Sequence, residues 1–178
     1  MPSHFHITYQ DYNVKGQLPL RVVYKATGTS NERIFHAHDF SEIAIMISGT
    51  VLHVADSKST ILKKGDIIVI HPGTIHGYDK TNTLELVNIM YDSKRLPLPL
   101  MADGYKHPLF HLLFPDENTT PPVSPERPII NVPENKLSNI VALVNNIDAE
   151  LNSDDPCARL YALALFMEFI TLLIRVSS

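Results

Sequence analysis

The stretch FHAHDFSEIAIMISG, residues 35–49, decides how the rest of the chain is read. Alternate residues of an extended strand face the same side. His36 and His38 are two apart and Glu42 lies four beyond His38, so an unbulged strand turns all three to one face. Gly49 then marks a turn. A second block, GDIIVIHPGTIH at residues 65–76, ends in His76, and Tyr78 two places on shares its face. His53 faces opposite to Leu52 and Val54 and is a weaker candidate for the same cavity. Imidazoles and a carboxylate at these intervals suit a metal, or equally a polar ligand rich in hydroxyls. His71 alternates away from the cavity and reads as structural, and His107 and His111 read as surface or packing residues.

Short β-type segments surround these blocks. LPLRVVYKATG (18–28), EIAIMIS (42–48), TVLHVAD (50–56), STIL (59–62), GDIIVIHP (65–72), HGYDK (76–80) and TLELVNIMY (83–91) are separated by Asp-Ser, Lys-Lys-Gly and Pro-Gly. Such spacing predicts a small sandwich or barrel. Residues 1–17 show no sustained period and read as an arm, so the arm and barrel together occupy 1–95. Nine of the thirteen prolines fall between Pro97 and Pro133, which predicts a surface connector over 96–134. Inside it, HPLFHLLFP predicts a short helical turn docked on the barrel.

Residues 135–178 are predicted as two helices. Leu137, Ile140, Val141, Val144, Ile147 and Leu151 form one stripe at helical spacing. Asp155 and Pro156 suit the start of the second helix, as N-cap and first helical residue. There Leu160, Leu163, Met167, Ile170 and Ile174 step by three and four, and further apolar residues extend over most of the circumference. A helix apolar on nearly every side must be covered on nearly every side, which predicts a homodimer through this stripe, with a helix hairpin packed internally as the alternative.

The 178 residues suit one domain, and a net charge of −4 argues against a nucleic-acid surface in this chain. A single cysteine, Cys157, forms no internal disulfide and fits a reducing compartment. The N-terminus lacks a signal peptide's basic start and apolar core. The apolar run from Leu160 to Ile174 carries Glu168 and is shorter than the roughly 20 residues needed to span a bilayer. The expectation is a cytoplasmic protein with no membrane partner.

The two blocks resemble the paired motifs of the cupin superfamily. H-x-H-x3-E-x6-G matches from His36 to Gly49, and the second motif matches from Gly65 to His76. The first motif's upstream glycine is out of register at Gly28, and Lys80 stands where an asparagine is frequent. The resemblance implies a mainly β fold: a double-stranded β-helix, or jelly-roll, barrel followed by an α-helical pair. It also implies that His36, His38, Glu42 and His76 could coordinate one divalent metal, Zn, Ni, Mn or Fe.

Barrel, proline-rich connector and helix pair in that order resemble the N-terminal effector domain of AraC-type transcription regulators. HDFSEIAIMISG, LKKGDIIVIHPGTIHGY and LELVNIMY are similar to those of sugar-responsive members, the rhamnose regulators included. The resemblance implies a non-enzymatic domain that binds a small effector, a sugar above all, through His36, His38, Glu42, His53, His76 and Tyr78. It implies an arm that folds over the pocket and a helix pair that dimerises. DNA binding would belong to a C-terminal helix-turn-helix domain absent from this chain. The rival expectations are a metal-dependent cupin enzyme, a dioxygenase or sugar isomerase, and a storage-type cupin without an effector.

Overall fold

The computed structural model describes residues 5–8, 18–27, 34–56, 58–98, 107–115 and 129–177. Its strands are β1 (Phe5–Ile7), β2 (Leu20–Thr27), β3 (Ile34–His38), β4 (Ser41–Ala55), β5 (Lys58–Lys63), β6 (Asp66–Ile70), β7 (His76–Tyr91) and β8 (Ile130–Asn131). Its helices are α1 (Pro108–Leu113), α2 (Glu134–Leu151) and α3 (Ala158–Ser177). All eight strands belong to one sheet, built around β4 and β7.

Four of the expected segments merge into two long strands. β4 joins EIAIMIS to TVLHVAD, and β7 joins HGYDK to TLELVNIMY. The breaks expected between them are bends instead, because both halves of each strand stay hydrogen-bonded. The first half of β4 pairs with β6 and the end of β7, its second half with β5 and the start of β7. The register shifts three times between Met46 and Leu52. Gly49 carries the bend with φ +75°, and a Cβ there would sit 2.4 Å from the carbonyl oxygens of both Asn82 and Thr83. On β7, Lys80 and Thr83 also take positive φ. Bulges of this kind raise twist and curl a sheet toward closure.

Alternation then sorts the side chains into two cores. Ile43, Ile45, Ile67, Val69, Val87, Ile89 and Tyr91 pack outward against the three helices. Ala44, Met46, Val51, Leu62, Ile68, Ile70, Leu84 and Leu86 fill the inside of the barrel. The helices close the outer face. Phe166 of α3 is fully buried with its ring 5.4 Å from that of Tyr91, whose hydroxyl donates to the Leu113 carbonyl at 2.5 Å. The short turn expected at HPLFHLLFP is α1, held also by His71, whose Nε2 lies 2.7 Å from the Leu112 carbonyl. His107 caps α1 by accepting from Leu109 N–H. The remainder of the expected connector, 99–106 and 116–128, lies outside the described residues, as does most of the arm.

On α2 the stripe Leu137, Ile140, Val144 and Ile147 is buried together with Leu143, whereas Val141 and Leu151 sit at its edge. Asp155 accepts from Cys157 N–H at 2.7 Å ahead of α3. α3 buries Ala158, Ala162, Leu165, Phe166, Phe169, Ile170 and Leu173. Ile170, expected on an intersubunit face, is thus part of this chain's own core, while Leu160 is 71% exposed and Leu163, Met167 and Ile174 are half-buried. The expectation of an apolar segment too short for a bilayer is corrected. Flanking residues extend the helix to 20, long and apolar enough to cross a membrane by length and composition, with mean hydropathy 1.8. Here its buried face packs on α2 and the outer face of the barrel.

Candidate functional site

Three strands bring the histidines together. β3 pairs with β7 so that His36 stands opposite His76, and His38 lies one pleat further along β3. The second half of β4 flanks β7 on its other side and sets His53 opposite Tyr78. Gly73 N–H donates to the His38 carbonyl at 2.8 Å, which ties the loop before His76 to β3. The ring centroids of His36 and His76 are 4.3 Å apart, and those of His38 and His76 are 5.0 Å apart. One ring nitrogen from each of His36, His38 and His76 falls within 4.8 Å of the others.

Glu42 joins from a different direction. The chain breaks from β3 at Asp39–Phe40 and re-enters the sheet as β4, so the three residues are not on one continuous strand as the alternation supposed. The outcome is the same, because Glu42 shares the inward parity of Ala44 and Met46. Its Oε2 lies 3.6 Å from His38 Nε2.

Both deep imidazoles are oriented by backbone. His38 Nδ1 lies 2.7 Å from the Phe40 carbonyl, and the Phe40 ring stacks on it at 4.1 Å with planes 7° apart. His76 Nδ1 lies 3.2 Å from the Thr74 carbonyl. A carbonyl only accepts, so in each ring Nδ1 carries the proton and Nε2 presents a lone pair to the interior. Both Nε2 atoms are buried without a hydrogen-bond partner, and so are Glu42 Oε1 and the Tyr78 hydroxyl. Backbone-anchored Nδ1–H with a free Nε2 is the arrangement of a metal-ligating histidine.

The electrostatics agree. Burial, opposed by the Phe40 carbonyl and reinforced by His36, lowers His38 to about 4. Burial and then the neighbouring His36 lower His76 to about 2. Both are neutral near pH 7, as coordination requires. Burial raises Glu42 to about 7, offset in part by the charge of Lys25. Burial, then the Glu42 charge facing it, pushes the Tyr78 phenol well above its ordinary value. Clustered, desolvated titratable groups with unmet bonding capacity mark functional sites.

All six expected residues therefore surround one interior. His36, His38 and His76 form the tight set, Glu42 sits beside His38, and His53 and Tyr78 form the next row, their rings 5.4 Å apart. His53 is 5.9 Å from His76, closer to the set than its rating as a weaker candidate implied. His71 points outward, as its alternation indicated. Asn88 escaped the sequence reading. It is 1% exposed and its Oδ1 has no partner. The signal was present: Asn88 shares the inward parity of Leu84 and Leu86, a lone amide on an apolar face.

Residues 19–96 match the AraC-like ligand binding domain. The HTH-type transcriptional activator RhaR of Mannheimia succiniciproducens is 23% identical over 141 residues, covering 79% of this chain and 45% of the relative. RhaR of Escherichia coli strain K12 is 39% identical over 69 residues, 39% of this chain and 24% of the relative. The chain thus spans less than half the length of these relatives. Among solved structures, an RmlC-like cupin from Shewanella frigidimarina NCIMB 400 is 21% identical, with a TM-score of 0.39 over 48% of this chain and 70% of that one. The matched span, 19–96, contains β2 to β7 and every residue of the histidine cluster. Residues 19–96 are thus similar to the AraC-like ligand binding domain, within a mostly β fold that ends in a helical C-terminal segment.

Proposed function

We propose that the barrel binds a small hydroxylated effector, a sugar, and that the chain is the sensing and dimerisation part of a cytoplasmic regulator. The observation that carries this reading is the buried interior of unpartnered polar atoms inside the span matched by the ligand-binding domain. The orphaned polar atoms of His38, Glu42, His76, Tyr78 and Asn88 represent bonding capacity that a ligand can meet. DNA binding would belong to a helix-turn-helix domain beyond this chain, in keeping with the relatives' names and their greater length.

The donor set fits one divalent metal of the Zn, Ni, Mn or Fe type, held by His36, His38, His76 and Glu42. Such an ion, when bound, supplies a Lewis-acidic centre to which an effector hydroxyl can bind. The chain's own residues orient the imidazoles, exclude water and keep His38 and His76 unprotonated. The same donors favour a second reading, a metal-dependent cupin enzyme, over a storage-type barrel. The apolar helix pair and the regulator relatives favour the sensor.

In this reading, residues 1–17 respond to the effector. β1 pairs in parallel with β3, setting Phe5 opposite His36 and Ile7 opposite His38, and Ile7 packs near Phe40 and Met90. We keep the limits 1–95, 96–134 and 135–178, although β8 of the middle segment pairs with β6 and its Ile130 and Val132 are buried, with Leu160, Leu163, Met167 and Ile174 as the intersubunit stripe of α3.

The test is metal content and thermal shift on untagged wild-type protein and His38→Ala. The expected result is a shift with L-rhamnose or a related sugar in the wild type and none in the variant. Metal near one per chain together with turnover of a sugar would favour the enzyme instead. Leu163→Glu with Met167→Glu should yield monomers by light scattering, and an unchanged dimer would refute the α3 stripe.

A further inference from the structure

Asn88 sits in the second half of β7, between Val23 of β2 and Ala44 of β4 in the cross-strand register. Its parity directs the amide into the barrel, along the same wall as Glu42, which stands one pleat further along β4 opposite Met90. Asn88 is 1% exposed, so solvent does not satisfy its oxygen, and Oδ1 has no partner in the folded chain. An amide at the centre of a strand face otherwise filled by Leu84, Leu86 and Met90 does not improve packing. Its neighbour Ala44 is fully buried and carries the smallest side chain among the inward residues of the first half of β4.

The unmet atoms along this wall share one chemistry. Asn88 Oδ1 and Glu42 Oε1 are acceptors, and the Tyr78 hydroxyl can accept as well. A ligand that meets them presents donors. A neutral polyhydroxylated molecule has the required donors, several of them on adjacent carbons.

We propose that Asn88 is an effector-contact residue: its Oδ1 accepts a hydroxyl hydrogen bond from a neutral polyol seated between Ala44 and the histidine cluster. The inference rests on the sugar-binding reading above and deepens it, because it extends the site from the histidines along β7. It also accounts for the amide's survival in an apolar face. A polar group kept for a ligand lowers the stability of the unliganded fold.

The experiment uses L-rhamnose, L-fucose and D-mannose as probes in thermal shift and calorimetry, on wild-type chain, Asn88→Leu and Asn88→Thr. Leucine has the same number and branching of side-chain heavy atoms and needs no partner. Unliganded Asn88→Leu should melt higher than wild type, by about 2–4 °C, and its apparent affinity for the sugar that shifts wild type should fall by about tenfold or more. Asn88→Thr, which keeps an oxygen on a β-branched side chain, should fold and retain a weakened response, and it decides the matter if the leucine variant does not fold. A lower melting temperature in unliganded Asn88→Leu, or undiminished affinity in either variant, would overturn the role of Asn88 alone. A wild-type chain that no sugar shifts would overturn the sugar reading, and this inference with it.

Discussion

The two faces of β4 and β7 carry opposite chemistry on the same backbone. Outward, Ile43, Ile45, Val87, Ile89 and Tyr91 meet Phe166, Phe169 and Leu173 with the one hydroxyl satisfied by Leu113. Inward, Glu42, His76, Tyr78 and Asn88 interrupt an otherwise aliphatic filling and leave polar atoms unpaired. The outward face stabilises the fold by burying apolar surface. The inward face costs stability, since each desolvated, unsatisfied group is penalised. A fold that retains such a face uses it for something other than stability.

That contrast can be broken experimentally, and the largest effect is expected outside. Phe166→Ala removes a fully buried ring from the junction of α3 with Tyr91 and should cost about 3–5 kcal/mol, read from urea unfolding. An effect below about 1 kcal/mol would mean that the outward face is not the stabilising one.

Acidification probes the inside. Burial holds His38 and His76 at about 4 and about 2, below the 6.5 of an exposed imidazole. Between these limits the unfolded chain binds more protons, so stability falls as pH drops below about 6.5. Glu42 acts oppositely: with a folded value of about 7 against 4.5, its contribution is greatest below 4.5 and is lost as pH rises through 7. From pH 6.5 down to 4.5 two imidazoles outweigh one carboxyl. In chelator, the melting temperature should therefore decrease over that range, and Glu42→Gln should steepen the decrease. A flat profile would mean that the imidazoles are not desolvated.

Smaller effects sharpen the comparison. Glu42→Leu should raise the stability of the metal-free chain at neutral pH by about 1–2 kcal/mol while abolishing any zinc-induced rise in melting temperature. Tyr91→Phe, on the outward face, should lose about 1 kcal/mol and leave zinc and sugar responses as in wild type. Gains inside and losses outside are the pattern the two faces require.

Much of the site was legible because strand periodicity is local. His36, His38, His76 and Tyr78 are placed by parity alone, and the spacing of the two blocks carried the likeness to cupins. Asn88 was not picked out, since a single Asn in TLELVNIMY looks like any half-buried strand position until both its neighbours are known. His53 was undervalued for the same reason: only the pairing of β4 with the start of β7 reveals that it faces Tyr78. The break expected inside β4 is a bend because Gly49 turns a paired strand without ending it, and a positive-φ glycine reads the same in a turn and in a bulge.

By itself, the sequence determined the alternating segments, the helical stripes, the ligand-type residues and the likeness to AraC-type regulators. These follow from short-range spacing, which the backbone converts directly into faces. The tertiary structure decided which histidine nitrogens are free, that Ile170 belongs to the core, and that Asn88 shares the interior with Glu42. Those depend on contacts between residues far apart in the chain, such as His36 with His76 and Ala44 with Asn88, and no local period encodes them.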